Sequence, residues 1–168
     1  LKIVELTSIQ GVEEQLVRLF VGCIDDGASL GFLKPAEAGE ILSYWHGVEQ
    51  DLKANQRRLF VAMDRGEIVG TVQLALSVKA NGAHRGEVQK LMVAKSSQGQ
   101  GYSKQLMMAL EVQAKALALS LLVLDSRLGD IASLLYKKLG FSQAGIIPDY
   151  VLNSDGLLEA TVVFYKQI

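Results

Sequence analysis

Between Val93 and Lys104 the chain reads VAKSSQGQGYSK: the end of an apolar strand, a polar loop with glycines at 99 and 101, and the start of a helix. Successive backbone N–H groups at such a turn converge on one concavity, and the dipole of the following helix adds partial positive charge there. An anionic oxygen is held in that way without any side chain, and glycine lets it approach closely. A single Gly-x-Gly is also what an ordinary loop before a helix looks like. Two nucleotide-binding readings fail on spelling. A Walker loop requires Gly-Lys-Ser/Thr, whereas Gly101-Tyr102-Ser103-Lys104 places lysine last. A dinucleotide fingerprint requires a third glycine where Lys104 stands. Local charge favours an anion, because Arg85, Lys90, Lys95 and Lys104 against Glu87 give +3 between residues 84 and 104.

Working outward, residues 59–93 carry strand signals. Leu59 to Met63, the Arg65-Gly66 turn, the Ile68 to Leu76 run, the Asn81-Gly82 turn and Glu87 to Val93 predict an antiparallel meander. Upstream, Lys2 to Leu6 alternates as a strand, Gly11 to Ile24 repeats apolar residues at helical spacing, and Ala36 to Ala54 follows Pro35 as a second helix. Downstream, a helix is expected from Tyr102 to about Leu119, then a buried strand from Leu121 to Leu124. Ile131, Leu134, Leu135 and Leu139 form the apolar stripe of a last helix, closed by Gly140, with Tyr136 off that stripe. Strands around Phe141 to Tyr150 and Ala160 to Tyr165, joined through Asn153 to Gly156, complete the order βααβββαβαββ. That order predicts a mixed sheet with helices on its faces, α/β or α+β.

Composition sets the outer bounds. A chain of 168 residues with 49% hydrophobic and 21% charged residues suits one domain, residues 1–168, with a sizeable core, and excludes disorder. Seventeen Lys+Arg against eighteen Asp+Glu leave a net charge of −1, so nucleic acid and anionic membrane are not expected partners. The apolar stretch from Leu117 to Leu124 is far short of the ~20 residues that span a bilayer. A single cysteine, Cys23, forms no internal disulfide and reads as helix packing, so the expected compartment is the cytosol. The sequence opens on Leu1, not Met, and a few preceding residues are expected. His46 and His84 are the only histidines and belong to no ligand cluster, so no metal is expected.

Leu91-Met92-Val93 followed by Gln98-Gly99-Gln100-Gly101-Tyr102-Ser103 resembles the acyl-CoA-binding motif of the GNAT N-acetyltransferases, Gln/Arg-x-x-Gly-x-Gly/Ala. Ala132, Leu135-Tyr136, Lys138-Leu139 and Gly140-Phe141 resemble that family's second signature, a helix bearing Leu-Tyr and ending Gly-Phe. The resemblance spans nearly the whole chain, since the order of elements also matches. It departs at Ser103, where Gly or Ala is usual, and at Gly129, where many members carry Asn. Gly27 to Phe32 and Asn81 to Val93 look most like the tabtoxin resistance protein group. The fold implied is a mostly antiparallel seven-stranded sheet flanked by four helices, with strands 4 and 5 parallel and splayed.

The resemblance implies acetyl-CoA as co-substrate, gripped by Leu91, Met92, Val93, Gln98, Gly99, Gln100, Gly101, Tyr102, Ser103, Lys104 and Ala132. Acetyl transfer to an amine requires an ammonium near pKa ~10 to lose a proton, an oxyanion to be stabilised and a thiolate to leave. By resemblance, backbone N–H groups of Leu91 to Val93 meet the oxyanion and Tyr136 donates to the departing sulfur; packing is the alternative for Tyr136. Glu87 is the candidate base and Asp125 a partner for the ammonium or a sharer of the base role. Their alternatives are a solvated strand-end charge and a helix cap, and His84 stands as another base candidate. The family lines its acceptor side with the loop between the first two helices. Here Asp26 and Phe32 offer an ammonium partner and an apolar wall to a small zwitterionic or amino-acid-like amine, an antibiotic- or toxin-like one included. The expected function is acetyl-CoA-dependent N-acetylation of a small-molecule primary amine by direct attack, with a homodimer as the further partner expectation. A non-catalytic acyl-CoA sensor and a protein N-acetyltransferase are the alternatives.

Overall fold

The period-two apolar run between residues 57 and 93 folds as three antiparallel strands, and everything else is arranged on them. In the computed structural model, which describes residues 1–168, these are β2 (Arg57–Asp64), β3 (Glu67–Leu76) and β4 (Arg85–Val93). Before them come β1 (Lys2–Leu6), α1 (Glu13–Asp25) and α2 (Ala38–Lys53). After them follow α3 (Tyr102–Ala116), β5 (Leu121–Arg127), α4 (Ala132–Lys138), β6 (Ser142–Leu152) and β7 (Leu158–Gln167). One seven-stranded sheet runs β1-β2-β3-β4-β5-β7-β6, with β4 and β5 its parallel pair and every other neighbour antiparallel. This is the architecture the resemblance implies.

Alternation along the strands builds two cores. Leu59, Val61, Ile68 and Met92 face α1 and α2, against Phe20, Ile41 and Trp45. Phe60, Val72, Leu74, Val88, Leu122 and Phe164 face Leu106 and Leu110 of α3 and Tyr136 of α4. Each buried aliphatic or aromatic side chain contributes roughly 1.5–3 kcal/mol of transfer free energy, so both faces hold the sheet.

All four helices end in the same left-handed turn. Gly27, Asn55, Ala118 and Gly140 take φ of 94°, 56°, 59° and 88° just past the last helical turn. In each, the next N–H reaches back to a carbonyl five residues earlier: Ala28 to Cys23, Gln56 to Asp51, Leu119 to Ala114 and Phe141 to Tyr136. These paired bonds satisfy carbonyls that a helix end leaves open. They also explain why α3 stops at Ala116, short of the expected Leu119.

β4 is not regular. Thr71 pairs with Met92 but Gln73 with Gln89, so Val72 alone faces both Lys90 and Leu91, and Lys90 takes φ 52°. This bulge reverses the strand's parity: Val88 points to the α3 face, Met92 to the α1–α2 face. β4 pairs with β5 only from Arg85 to Glu87, after which β5 runs on to Arg127 against β7 alone. The two strands diverge into a wedge.

The stripe expected on the last helix is corrected. Ile131 is 84% and Leu134 58% exposed, whereas Tyr136 is 6% exposed. The packed stripe is Ala132, Leu135, Tyr136 and Leu139, one residue round the helix. Both sets fit helical spacing. Phe141 and Phe164 receive the tyrosine ring, and that packing chose the face.

Candidate active site

The wedge between β4 and β5 opens into a cavity of about 890 Å³, within the range of small-ligand sites. Its walls come from β4, the glycine loop, the start of α3, β5, α4 and the loop after α1, and Tyr150 of β6 closes one side.

On one side lies the anion cradle. Gly99 and Gly101 take φ of 77° and 82°, conformations L side chains rarely adopt, and a Cβ on either would project into open space. Gly101 caps α3 without a side chain, and the first turn of α3 contains no acidic residue. Its first N–H groups therefore face the cavity mouth without a capping carboxylate or hydroxyl, and Lys104 adds positive charge nearby. These are the features a pyrophosphate requires, so the residues fit the acyl-CoA that the resemblance implies. Leu91, Met92, Val93, Gln98, Tyr102, Ser103 and Ala132 also line the cavity. The side chain of Gln98 is turned inward: its Nε2 donates to the Val93 carbonyl at 3.2 Å, which ties the loop to β4. Gln100 is not on the cavity wall; its Oε1 accepts from the Tyr102 hydroxyl at 3.1 Å.

Tyr136, Glu87 and Asp125 meet in the same cavity. Tyr136 is held twice, because it contributes the carbonyl that closes the α4 turn and its ring packs at 6.0 Å on Phe141 and 5.7 Å on Phe164. Burial, with the Asp130 and Asp125 carboxylates adding to it, pushes the phenol up to about 12. It is thus a proton donor at any physiological pH. Glu87 is exposed at the last residue of β4 still paired with β5, opposite Val123. Asp125 accepts from the Thr161 hydroxyl at 3.1 Å, which orients it from β7. His84 lies outside the cavity, exposed before β4.

The acceptor side differs in detail from the expectation. Asp26 lines the cavity, but its carboxylate lies 3.7 Å from Lys95. Phe32 is not on the wall; it stacks edge-on at 5.4 Å from Phe20 and 5.9 Å from Tyr44, anchoring the loop behind the cavity. A network that sequence reasoning missed reaches the wall through Tyr44 and Gln89. Arg57 ion-pairs with Asp51 at 2.9 Å and donates to the Oε1 atoms of Gln73 and Gln89, each at 2.8 Å. The Tyr44 hydroxyl donates to the same Gln73 oxygen at 3.2 Å. The signal was present in Gln73, one amide within the apolar run TVQLAL of a central strand. Cys23 also reaches the wall, where burial and then Asp26 push its thiol up to about 11. No group of three or more His, Cys, Asp or Glu is placed to hold a metal, and no helix is long and apolar enough to cross a membrane.

Comparison with known proteins agrees with this geometry. The family model of the acetyltransferase (GNAT) domain matches residues 55–143. A protein of Azospirillum brasilense named IAA acetyltransferase is 30% identical over 122 residues, which are 72% of this chain and 74% of that one. The ribosomal-protein-alanine N-acetyltransferase of Brucella melitensis superposes with a TM-score of 0.81 at 18% identity, covering 100% of both chains. The yncA protein of Salmonella typhimurium, solved with its cofactor acetyl-CoA, superposes at 0.80 and 14% identity over 99% of this chain and 94% of that one.

Proposed function

The chain belongs to the GNAT acetyltransferase family, which acts with acetyl-CoA, and from that premise we propose that it acetylates the primary amine of a small molecule. The observation that carries the proposal is one cavity lined by an uncapped anion cradle, two carboxylates and a protonated phenol. Acetyl-CoA, when bound, supplies an activated acyl thioester. Leu91 to Val93 then offer backbone N–H groups to the oxygen on which charge develops, a stabilisation that grows as the charge does. Glu87, directly or through one water, takes the proton from the acceptor ammonium, and Asp125 holds that ammonium in place. Tyr136 protonates the departing sulfur. The nucleophile attacks without an enzyme-bound acyl group.

The acceptor we propose is a small amine, amino-acid-like or antibiotic- and toxin-like; the loop after α1, which lines the same cavity through Asp26 to Gly31, supports that reading. Within the family we place the chain nearest the tabtoxin resistance group, on Gly27 to Phe32 and Asn81 to Val93. A cytosolic homodimer is the proposed form, on the single cysteine and on the exposed Ile146, Ile147, Tyr150 and Leu152 of the edge strand β6. The experiment is thiol release from acetyl-CoA across a panel of amines. Release that depends on the amine, with an N-acetyl product by mass spectrometry, supports the reading; acetyl-CoA binding without release from any amine supports a sensor instead.

A further inference from the structure

We propose that Lys90 reads a carboxylate on the acceptor, so that the amine acetylated is a small amino acid or an amine bearing a carboxylate close to its nitrogen. The inference rests on the acetyltransferase reading of the cavity and assigns the chemistry of its acceptor end.

Lys90 reaches that end only because of the bulge. On a regular strand it would share the face of Val88 and point into the core beneath α3. With φ 52° it turns to the α1–α2 face, where its ammonium donates to the Leu30 carbonyl at 2.9 Å and lies 5.6 Å over the Tyr44 ring. The loop passes so closely that a Cβ on Gly31 would lie 3.4 Å from Nζ. Lys90 lines the cavity and is half-buried there.

Its charge is not neutralised. The neighbouring cations are committed: Arg57 to Asp51, Arg127 to Asp130 and Glu159, and Lys95 to Asp26. No carboxylate comes within ion-pair distance of Lys90, although Glu87 and Asp125 are near enough to act on it through space. Burial and Arg57 disfavour its charged form, and the two carboxylates oppose them. A half-buried ammonium without a counter-ion is costly, and a ligand anion removes that cost while two of its three N–H donors remain to bind one. Lys104 lies on the glycine-loop side, at the start of α3, so beside the two carboxylates the wall presents one free cation, Lys90. That pattern is complementary to a zwitterion: its carboxylate on Lys90, its ammonium toward Glu87 and Asp125.

The test compares the proteinogenic L-amino acids, each against its own carboxamide and its decarboxylated amine, by thiol release from acetyl-CoA. For the wild type we expect kcat/KM for the best amino acid to exceed that for its carboxamide by about 10-fold or more, carried mainly in KM. Lys90→Met should lower only the amino-acid value and erase the preference, Lys90→Arg should keep part of it, and acetyl-CoA affinity by calorimetry should stay unchanged in both. Equal use of acid and amide by the wild type, or an equal loss on both in Lys90→Met, overturns the proposal. Acetylation confined to amines without a carboxylate overturns it too and leaves the acetyltransferase reading standing, whereas no release from any amine removes that reading itself.

Discussion

Tyr136 is both a core residue and the proposed acid, and the two roles support each other. The ring that Phe141 and Phe164 pack keeps its hydroxyl in place, and the burial that raises its pKa to about 12 keeps it protonated. An acid whose pKa is raised loses its proton only as pH climbs to that value. The pH profile of kcat should therefore show no alkaline limb from Tyr136 below about pH 10. Tyr136→Phe should lower kcat by ~10²-fold, with acetyl-CoA affinity retained by calorimetry. Glu87→Gln should lower kcat likewise, but its deficit should shrink as pH rises and free amine becomes plentiful. Cys23 is shifted the same way, and for a nucleophile that shift is disabling. A buried thiol pushed up to about 11 is not a thiolate near neutral pH, so Cys23→Ala should keep full activity. Mass spectrometry of enzyme with acetyl-CoA alone should show no acetylated protein; an adduct would contradict direct attack.

At the scale of elements, the site depends on how strands and helices end. Gly101 opens α3 at φ 82° with empty space where a side chain would go. Gly101→Glu should raise the acetyl-CoA Kd by about 100-fold or more, since like charges then share the cradle. Gly101→Ala, which adds no charge, serves as the folding control. At the other end of α3, Ala118 sits at φ 59° in a turn where two sister helices use glycine. Ala118→Gly should raise stability by roughly 0.5–1 kcal/mol in denaturant unfolding, because glycine takes that conformation without Cβ strain. Much of this was legible in the sequence: the glycine loop by its spelling, the meander by alternation, the Gly140 cap by its place. The bulge was not. Lys90 takes a left-handed conformation where the register of β4 on β3 shifts, and no local pattern in Gly86 to Val93 records that. The same holds for α4, where two apolar stripes one residue apart fit the spacing and the aromatic pocket chose between them.

For the whole molecule, two features of β4 assemble the site. β4 leaves β5 after Glu87, which opens the wedge, and its bulge at Lys90 and Leu91 turns Lys90 and Met92 to the face covered by α1 and α2. The cradle, the acid and the carboxylates belong to separate elements, spread from Glu87 to Tyr136 along the chain, and meet only because the sheet splays. Charge follows the same division: Lys90 and Lys104, neither of them in an ion pair, line this gap together with Glu87 and Asp125. The measurement that tests this account most directly is a crystal structure grown with acetyl-CoA. It should place the pyrophosphate on the backbone between Gln98 and Lys104, the acyl arm between β4 and β5, and the sulfur within hydrogen-bond reach of the Tyr136 hydroxyl. Acetyl-CoA bound elsewhere, or bound with its sulfur remote from Tyr136, would contradict it.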